Sequence, residues 1–257
     1  MQDNNQGVNV QDLLEAGVHF GHLRSKWDPR MAEYIFMEKN GIHLIDLNKT
    51  ATKLEEAAAA MRNIARSGRK ILFVATKKQA KEIVKEAAIR VNMPFVTDRW
   101  LGGMLTNFAT VRKSIKKMSN IDRMVADGTI STMAKKERLM MSREREKLER
   151  VLGGINDLTR LPAAIFVVDI KKEHIAIAEA HKLNLTSFGI VDTNANPNDV
   201  DFPIPGNDDA TKSIALITEY IVKAIEEGLA ERKITKDKEE KEGAVSAEAA
   251  PAASEEA

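Results

Sequence analysis

Cysteine is absent from the chain, which removes disulfide staples, thiolate metal sites and a cysteine nucleophile from consideration and fits a reducing cytosol. Aromatic residues are scarce at 5%, and only two are tryptophan, so the surroundings of each tryptophan carry weight. No apolar run approaches the ~20 residues that span a bilayer, so no membrane partner is expected. The opening MQDNNQGVNV is uncharged apart from Asp3 and has neither the basic nor the apolar stretch of a targeting peptide. Short catalytic signatures are missing too: there is no GxxxxGK[ST], no G-x-S-x-G and no H-E-x-x-H. The five histidines, His19, His22, His43, His174 and His181, stand outside any catalytic context, and the chain is not expected to be an enzyme.

What is present is charge, and it is segregated. The 257 residues are 43% hydrophobic and 30% charged, enough for one sizeable core and an appendage. The net charge of +1 conceals a middle section, 61–150, with 22 Lys+Arg against 9 Asp+Glu, so the remainder is strongly acidic. Such a polycation favours a phosphate-bearing partner, because neutralising phosphates releases counterions. A solvated face of alternating charges is the competing explanation, and the one-sided excess weighs against it.

Residues 8–22 read as a short helix capped by Asn9 and ended by Gly17. The basic loop that follows sets Arg24, Lys26 and Arg30 around Trp27, which either stacks on a base or anchors packing. Within 34–47, Asn40-Gly41 between two apolar runs signals a β-hairpin, with His43 as a half-buried strand residue. Leu54, Ala57, Ala58, Met61, Ile64 and Ala65 trace one face of a helix over 49–66. Alternation then follows: strand 71–76, helix 77–91, strand 94–97. The stretch 99–108, RWLGGMLTNF, joins this part to the next; its paired glycines allow a tight turn or close approach, and Thr106 or Asn107 can cap the following helix.

From 107 to 158 the strand rhythm stops. Phe108, Val111, Ile115, Met118 and Val125 follow a three-four spacing, and Ala134, Met141, Leu148 and Ile155 lie seven apart, which predicts two antiparallel helices with a coiled-coil seam and a turn at Asp127-Gly128. Arms of about 20 residues would reach ~30 Å. The first arm clusters Arg112, Lys113, Lys116 and Lys117; the second alternates cations with Glu137, Glu144 and Glu146, as in an internally paired surface. Strands then resume at 163–169, 186–191 and 202–204, with helices at 173–182 and 208–227, the last capped by Asn207. The expected fold is α/β: a parallel-sheet, Rossmann-like domain from 8–106 and 159–228, with a helical hairpin inserted at 107–158 and a disordered, charged and Ala-rich tail at 229–257. His19, Asp192, Asp208 and Asp209 could meet at the carboxyl edge of the sheet and hold a structural divalent cation. Turn formation by Asp192 and the helix dipole at Asp208 and Asp209 explain the same carboxylates without an ion. No other cofactor is expected.

Several long motifs occur in a fixed order: LLEAGVHFGH at 13–22, Trp27-x-Pro29-x-Met31, RWLGGMLTN at 99–107, PAAIFVVDIKKEHIAIAEAHKLNLT at 162–186, D-T-N-x-x-P from Asp192 and G-N-D-D-A from Gly206. Together they resemble the bacterial small-subunit ribosomal protein two family over about 10–228. Thr186 departs from it, since that family usually has Ala or Pro there. The resemblance implies a flavodoxin-like domain with a protruding hairpin, binding to small-subunit ribosomal RNA near the junction of head and body, other small-subunit proteins as partners, docking of ribosomal protein one, and residence on the cytoplasmic ribosome. With that partner, RNA contacts are expected at Arg24, Lys26, Trp27, Arg30, Arg99, Trp100, Asn107, Arg112, Lys113, Lys116 and Lys117, mostly to phosphates. A nucleotide- or sugar-phosphate-binding enzyme of doubly wound fold is the rival reading.

Overall fold

The computed structural model describes residues 8–248. Five parallel strands form the main sheet: β4 (Ile71–Val74), β5 (Phe95–Val96), β6 (Ala164–Val168), β7 (Thr186–Val191) and β8 (Phe202–Pro205), in the order β5-β4-β6-β7-β8. Counted within this sheet the order is 2-1-3-4-5, the flavodoxin-like arrangement, whose switch point lies between β4 and β6. Every residue of β4 and β6 is buried, which is why these runs are apolar throughout rather than alternating.

The pleat divides that apolar content between two layers. On one side Phe73, Phe166, Phe188 and Ile204 pack beneath α2 (Leu47–Arg66), α3 (Lys81–Arg90) and α7 (Thr211–Glu248), with Phe73 and Phe166 edge to face at 5.4 Å. On the other, Leu72, Val74, Ile165 and Val167 meet Ala176, Ile177 and Ala180 of α6 (His174–Lys182) and the base of the hairpin. The predicted inner face of α2 is buried residue for residue, and Asp46 caps that helix by accepting from the Asn48 N–H.

A second, antiparallel sheet lies at the amino end of the chain, after α1 (Val10–Glu15): β1 (Phe20–Leu23), β3 (Ile42–Ile45) and β2 (Ile35–Lys39), in the order β1-β3-β2. The Asn40-Gly41 turn has positive φ at both residues, +53° and +74°, as a tight hairpin requires. Strand β1 is not foreseen by the sequence pattern, because its four residues, FGHL, are too few to show a period.

Between β5 and β6 stand α4 (Phe108–Ala126) and α5 (Lys135–Leu152), antiparallel, with Gly128 at φ +74° in the turn between them. Ile115, Met118 and Ile121 close the seam from α4, whereas Val125 near the tip is exposed. Helix α7 differs most from expectation. It does not stop before Gly228 but runs to Glu248, so residues 229–248 of the expected disordered tail continue the helix and 249–257 lie outside the described residues. Gly228 is a contact rather than a terminator. A Cβ there would lie 2.4 Å from the Arg62 carbonyl oxygen of α2, so glycine is what lets the two helices approach. Beyond it, Glu231 pairs with Arg62 and Arg66 and ties the extension to α2.

Candidate functional site

Two regions carry chemistry: the carboxyl edge of the parallel sheet, and the hairpin with the loop that holds it. At the edge, Asp169 follows β6, Asp192 follows β7 and Asp208 and Asp209 precede α7. Lys77, just past β4, places its ammonium 2.7 Å from Asp208, 2.6 Å from Asp209 and 3.4 Å from Asp169. His22 completes the group, with Nδ1 at 3.0 Å from Asp192 and Nε2 at 3.4 Å from Asp209.

Electrostatics follow from burial. Asp208 is buried beside Asp192 and Asp169, which pushes its carboxyl up to about 7 against the pull of Lys77. Burial alone would lower the Lys77 ammonium, but hydrogen bonds to Asp208 and Asp209 outweigh it and hold it above its usual value. The hydrogen bond to Asp192 raises His22.

His22, not His19, is therefore the histidine that joins the three aspartates. The register slips between Phe20 and Leu23, so three residues of β1 span the distance that two span on β3, and such a bulge re-aims a side chain. His19 instead lies against Phe20 at 4.0 Å, and burial lowers its imidazole. His22, Asp208 and Asp209 each bring a ligand atom within 4.8 Å of the others, a set that suits a divalent cation. Asp192 also serves its turn, accepting from the Thr193 N–H at 2.5 Å, and Asn207 accepts from the N–H groups of Asp209 and Ala210 at the start of α7.

A doubly wound fold holds phosphates in the turn after its first strand, at the switch point. Here that turn is Thr76-Lys77-Lys78-Gln79, and the buried Glu173 carboxylate accepts from both the N–H and the hydroxyl of Thr76. A carboxylate thus takes donors that a phosphate would need. Surface concavities beside Glu33, Asp46 and Lys49 and beside Lys70, Pro94 and Gly154 lie elsewhere, the latter at the amino ends of β4 and β5.

The second region is organised by Glu179 of α6. Its carboxylate accepts from the Trp100 Nε1–H at 3.1 Å, from the N–H groups of Gly103, Leu105 and Thr106 at 2.7, 2.9 and 3.0 Å, and from the Thr106 hydroxyl at 3.1 Å. Burial would raise this carboxyl, yet the hydrogen bonds from the Thr106 N–H, Trp100, Leu105 and Gly103 hold it below its usual value. Gly103 sits at φ +87°, which glycine alone adopts without strain.

This clamp corrects one expected RNA contact: Trp100 is only 8% exposed, and its indole anchors the loop from inside. Asn107 stands at the N-cap position of α4, but its exposed side chain accepts from the Thr110 hydroxyl rather than from a backbone N–H. Arg99 is exposed on the same loop. Lys113 and Lys116 are exposed on α4 and make no ion pair among the described residues. Arg112 donates to the Thr159 carbonyl at 3.2 Å, and Lys117 is bound to Glu144 across the hairpin at 2.5 Å. In the amino-terminal loop, Lys26 and Arg30 are exposed and Arg24 pairs with Glu38 at 3.3 Å. Trp27 is 36% exposed and rests on the buried His43 ring at 5.1 Å, so one part of the indole packs and the rest faces outward.

Comparisons with known proteins agree with one another. The family model described as Ribosomal protein S2 matches residues 13–228. The chain is 67% identical to the small ribosomal subunit protein uS2 of Cytophaga hutchinsonii, covering 90% of this chain and 91% of that protein. It is 60% identical to the protein of that name from Flavobacterium johnsoniae, covering 96% and 98%, and 60% identical to that of Parabacteroides distasonis, covering 89% and 82%.

Proposed function

The chain belongs to the Ribosomal protein S2 family, and from that premise we propose that it binds small-subunit ribosomal RNA through the hairpin and the 24–30 loop while its antiparallel sheet receives a protein partner. It is a structural protein of the small ribosomal subunit and acts in translation. The observation that carries the RNA reading is the pair Lys113 and Lys116, fully presented on α4 with no carboxylate partner among the described residues. Cations left without partners are the ones that gain by meeting phosphates, whereas Lys117 must first leave Glu144. Arg99, Lys26, Arg30 and, once it leaves the Thr159 carbonyl, Arg112 are further exposed cations open to phosphates. Trp100 acts from behind, through the Glu179 clamp, by fixing where the hairpin leaves the body.

The protein-facing reading rests on an uncovered apolar surface. Phe20, Leu44 and Met37 stand abreast across β1, β3 and β2, with Leu23 and Ile42 in the next row. Phe20, Leu23 and Met37 are about half exposed, and Phe36, in the register irregularity between Ile35 and Met37, is 72% exposed; clustered apolar exposure of this kind marks an interaction surface. A surface of this kind suits ribosomal protein one or another small-subunit protein. The occupied phosphate turn at Thr76 weighs against a nucleotide enzyme. Among the described residues no helix is long and apolar enough to cross a membrane.

Co-sedimentation of the full chain with small subunits on sucrose gradients, at two salt concentrations, tests the RNA reading. Stoichiometric migration is expected for the unsubstituted protein, and Lys113→Glu with Lys116→Glu should weaken it and reduce its salt dependence. Assembly unaltered by both reversals would contradict the role of α4.

A further inference from the structure

The two arms of the hairpin turn their cations in opposite directions. On α4 the buried residues Ile115, Met118 and Ile121 define the seam, and at 3.6 residues per turn Lys113, Lys116 and Asn120 emerge on the far side, all exposed. On α5 the less exposed residues Met141, Arg145, Leu148 and Leu152 define the seam, and the far side carries Lys136, Arg143 and Lys147, spaced seven and four apart. The second arm is only in part the internally paired surface that its alternating sequence suggests, since Arg145 and Glu149 pair within it. Glu144 is turned to Lys117 and Glu149 to Arg145, and among the described residues Lys136, Arg143 and Lys147 make no ion pair. Glu146 lies as far round from the seam as Lys147, and with three cations against it the face remains net positive.

We propose that the hairpin is inserted between two segments of ribosomal RNA, one against each outer face, instead of lying on one; this rests on the reading that the hairpin binds that RNA. Two helices side by side put their outer faces roughly 20 Å apart. Screening at physiological salt acts over about 8 Å, so RNA on one face leaves the cations of the other uncompensated. The α5 face also presents Leu139 and Met140, 52% and 62% exposed, and ribose and base surfaces can cover such side chains as phosphates alone cannot.

Because the chain lacks cysteine, a single one can be placed on either face to carry an iron chelate that generates hydroxyl radicals. Full-length Asn120→Cys and Leu139→Cys, each assembled into small subunits, should cut two RNA segments that do not overlap. Cuts from Asn120→Cys alone, or the same segment cut from both positions, would overturn the proposal. As an independent readout, Lys136→Gln, Arg143→Gln and Lys147→Gln together should lower the log–log salt slope of RNA binding by about 2–3 while the cuts from Asn120→Cys persist. An unchanged slope, with the α5 face instead crosslinking to an acidic ribosomal protein, also overturns it. Failure of the unsubstituted chain to join subunits at all would strike the RNA reading itself.

Discussion

Five donors converge on the Glu179 carboxylate: four belong to one short loop between Gly103 and Thr106, and the fifth is the Trp100 indole beside it. Glu179→Ala would leave several buried N–H groups without acceptors, and a loss of about 3–5 kcal/mol in urea unfolding is expected. Acid should loosen the same loop. The folded carboxyl sits below the ordinary value of 4.5, so its stabilisation is complete above that pH and fades as the pH falls through the folded value. In a Trp27→Phe background, Trp100 fluorescence should therefore shift only below about pH 4.5, and an unchanged signal through that range would refute the clamp. At the carboxyl edge, four aspartates face one ammonium and a histidine. A zinc ion between His22, Asp208 and Asp209 would supply the missing positive charge, and zinc at a hundred times its dissociation constant should stabilise the fold by about 2.7 kcal/mol. His22→Ala should abolish that gain in thermal unfolding; an equal gain in both proteins would sink the site.

At the scale of elements, Gly228 is the instructive position. Glycine after an amphipathic run ordinarily marks a helix end, and the local pattern reads that way; the reason for this glycine is Arg62, 166 positions earlier, whose carbonyl lies where a Cβ would be. Gly228→Val should force α2 and α7 apart and cost about 1–3 kcal/mol in a denaturant melt, with helicity largely kept. A stability equal to that of the unsubstituted chain would mean that the contact is not tight. The same division explains what could be read in advance. The buried face of α2, the all-apolar β4 and β6 and the Asn40-Gly41 turn are written in local periodicity and emerge as expected, as do two hairpin helices, although Val125 and Ala134 of the expected seam are exposed near the tip. The placement of His22 depends on a bulge against β3, the burial of Trp100 on a glutamate 79 residues later, and the free α5 face on which glutamates turn to the seam. Each of these is set by a partner distant in sequence, where spacing carries no signal.

For the whole molecule, the decisive property is that opposite charges are kept apart: a cationic hairpin at one place, a cluster of carboxylates held by Lys77 at another. Folding and binding should therefore respond differently to salt. Most ion pairs of the body are partly exposed and contribute little to stability, so the unfolding midpoint of the free protein should move only slightly between 50 and 200 mM salt. RNA binding should fall steeply over the same range. About four phosphate contacts, as one arm could make, give roughly a hundredfold loss, and about eight, from both arms, give roughly ten-thousandfold. Filter binding of the full chain to small-subunit ribosomal RNA at four salt concentrations separates these slopes. The shallower one would leave at most one face of the hairpin in the interface, and a slope near zero would remove phosphate contacts from the account altogether, those of the hairpin and of the 24–30 loop alike.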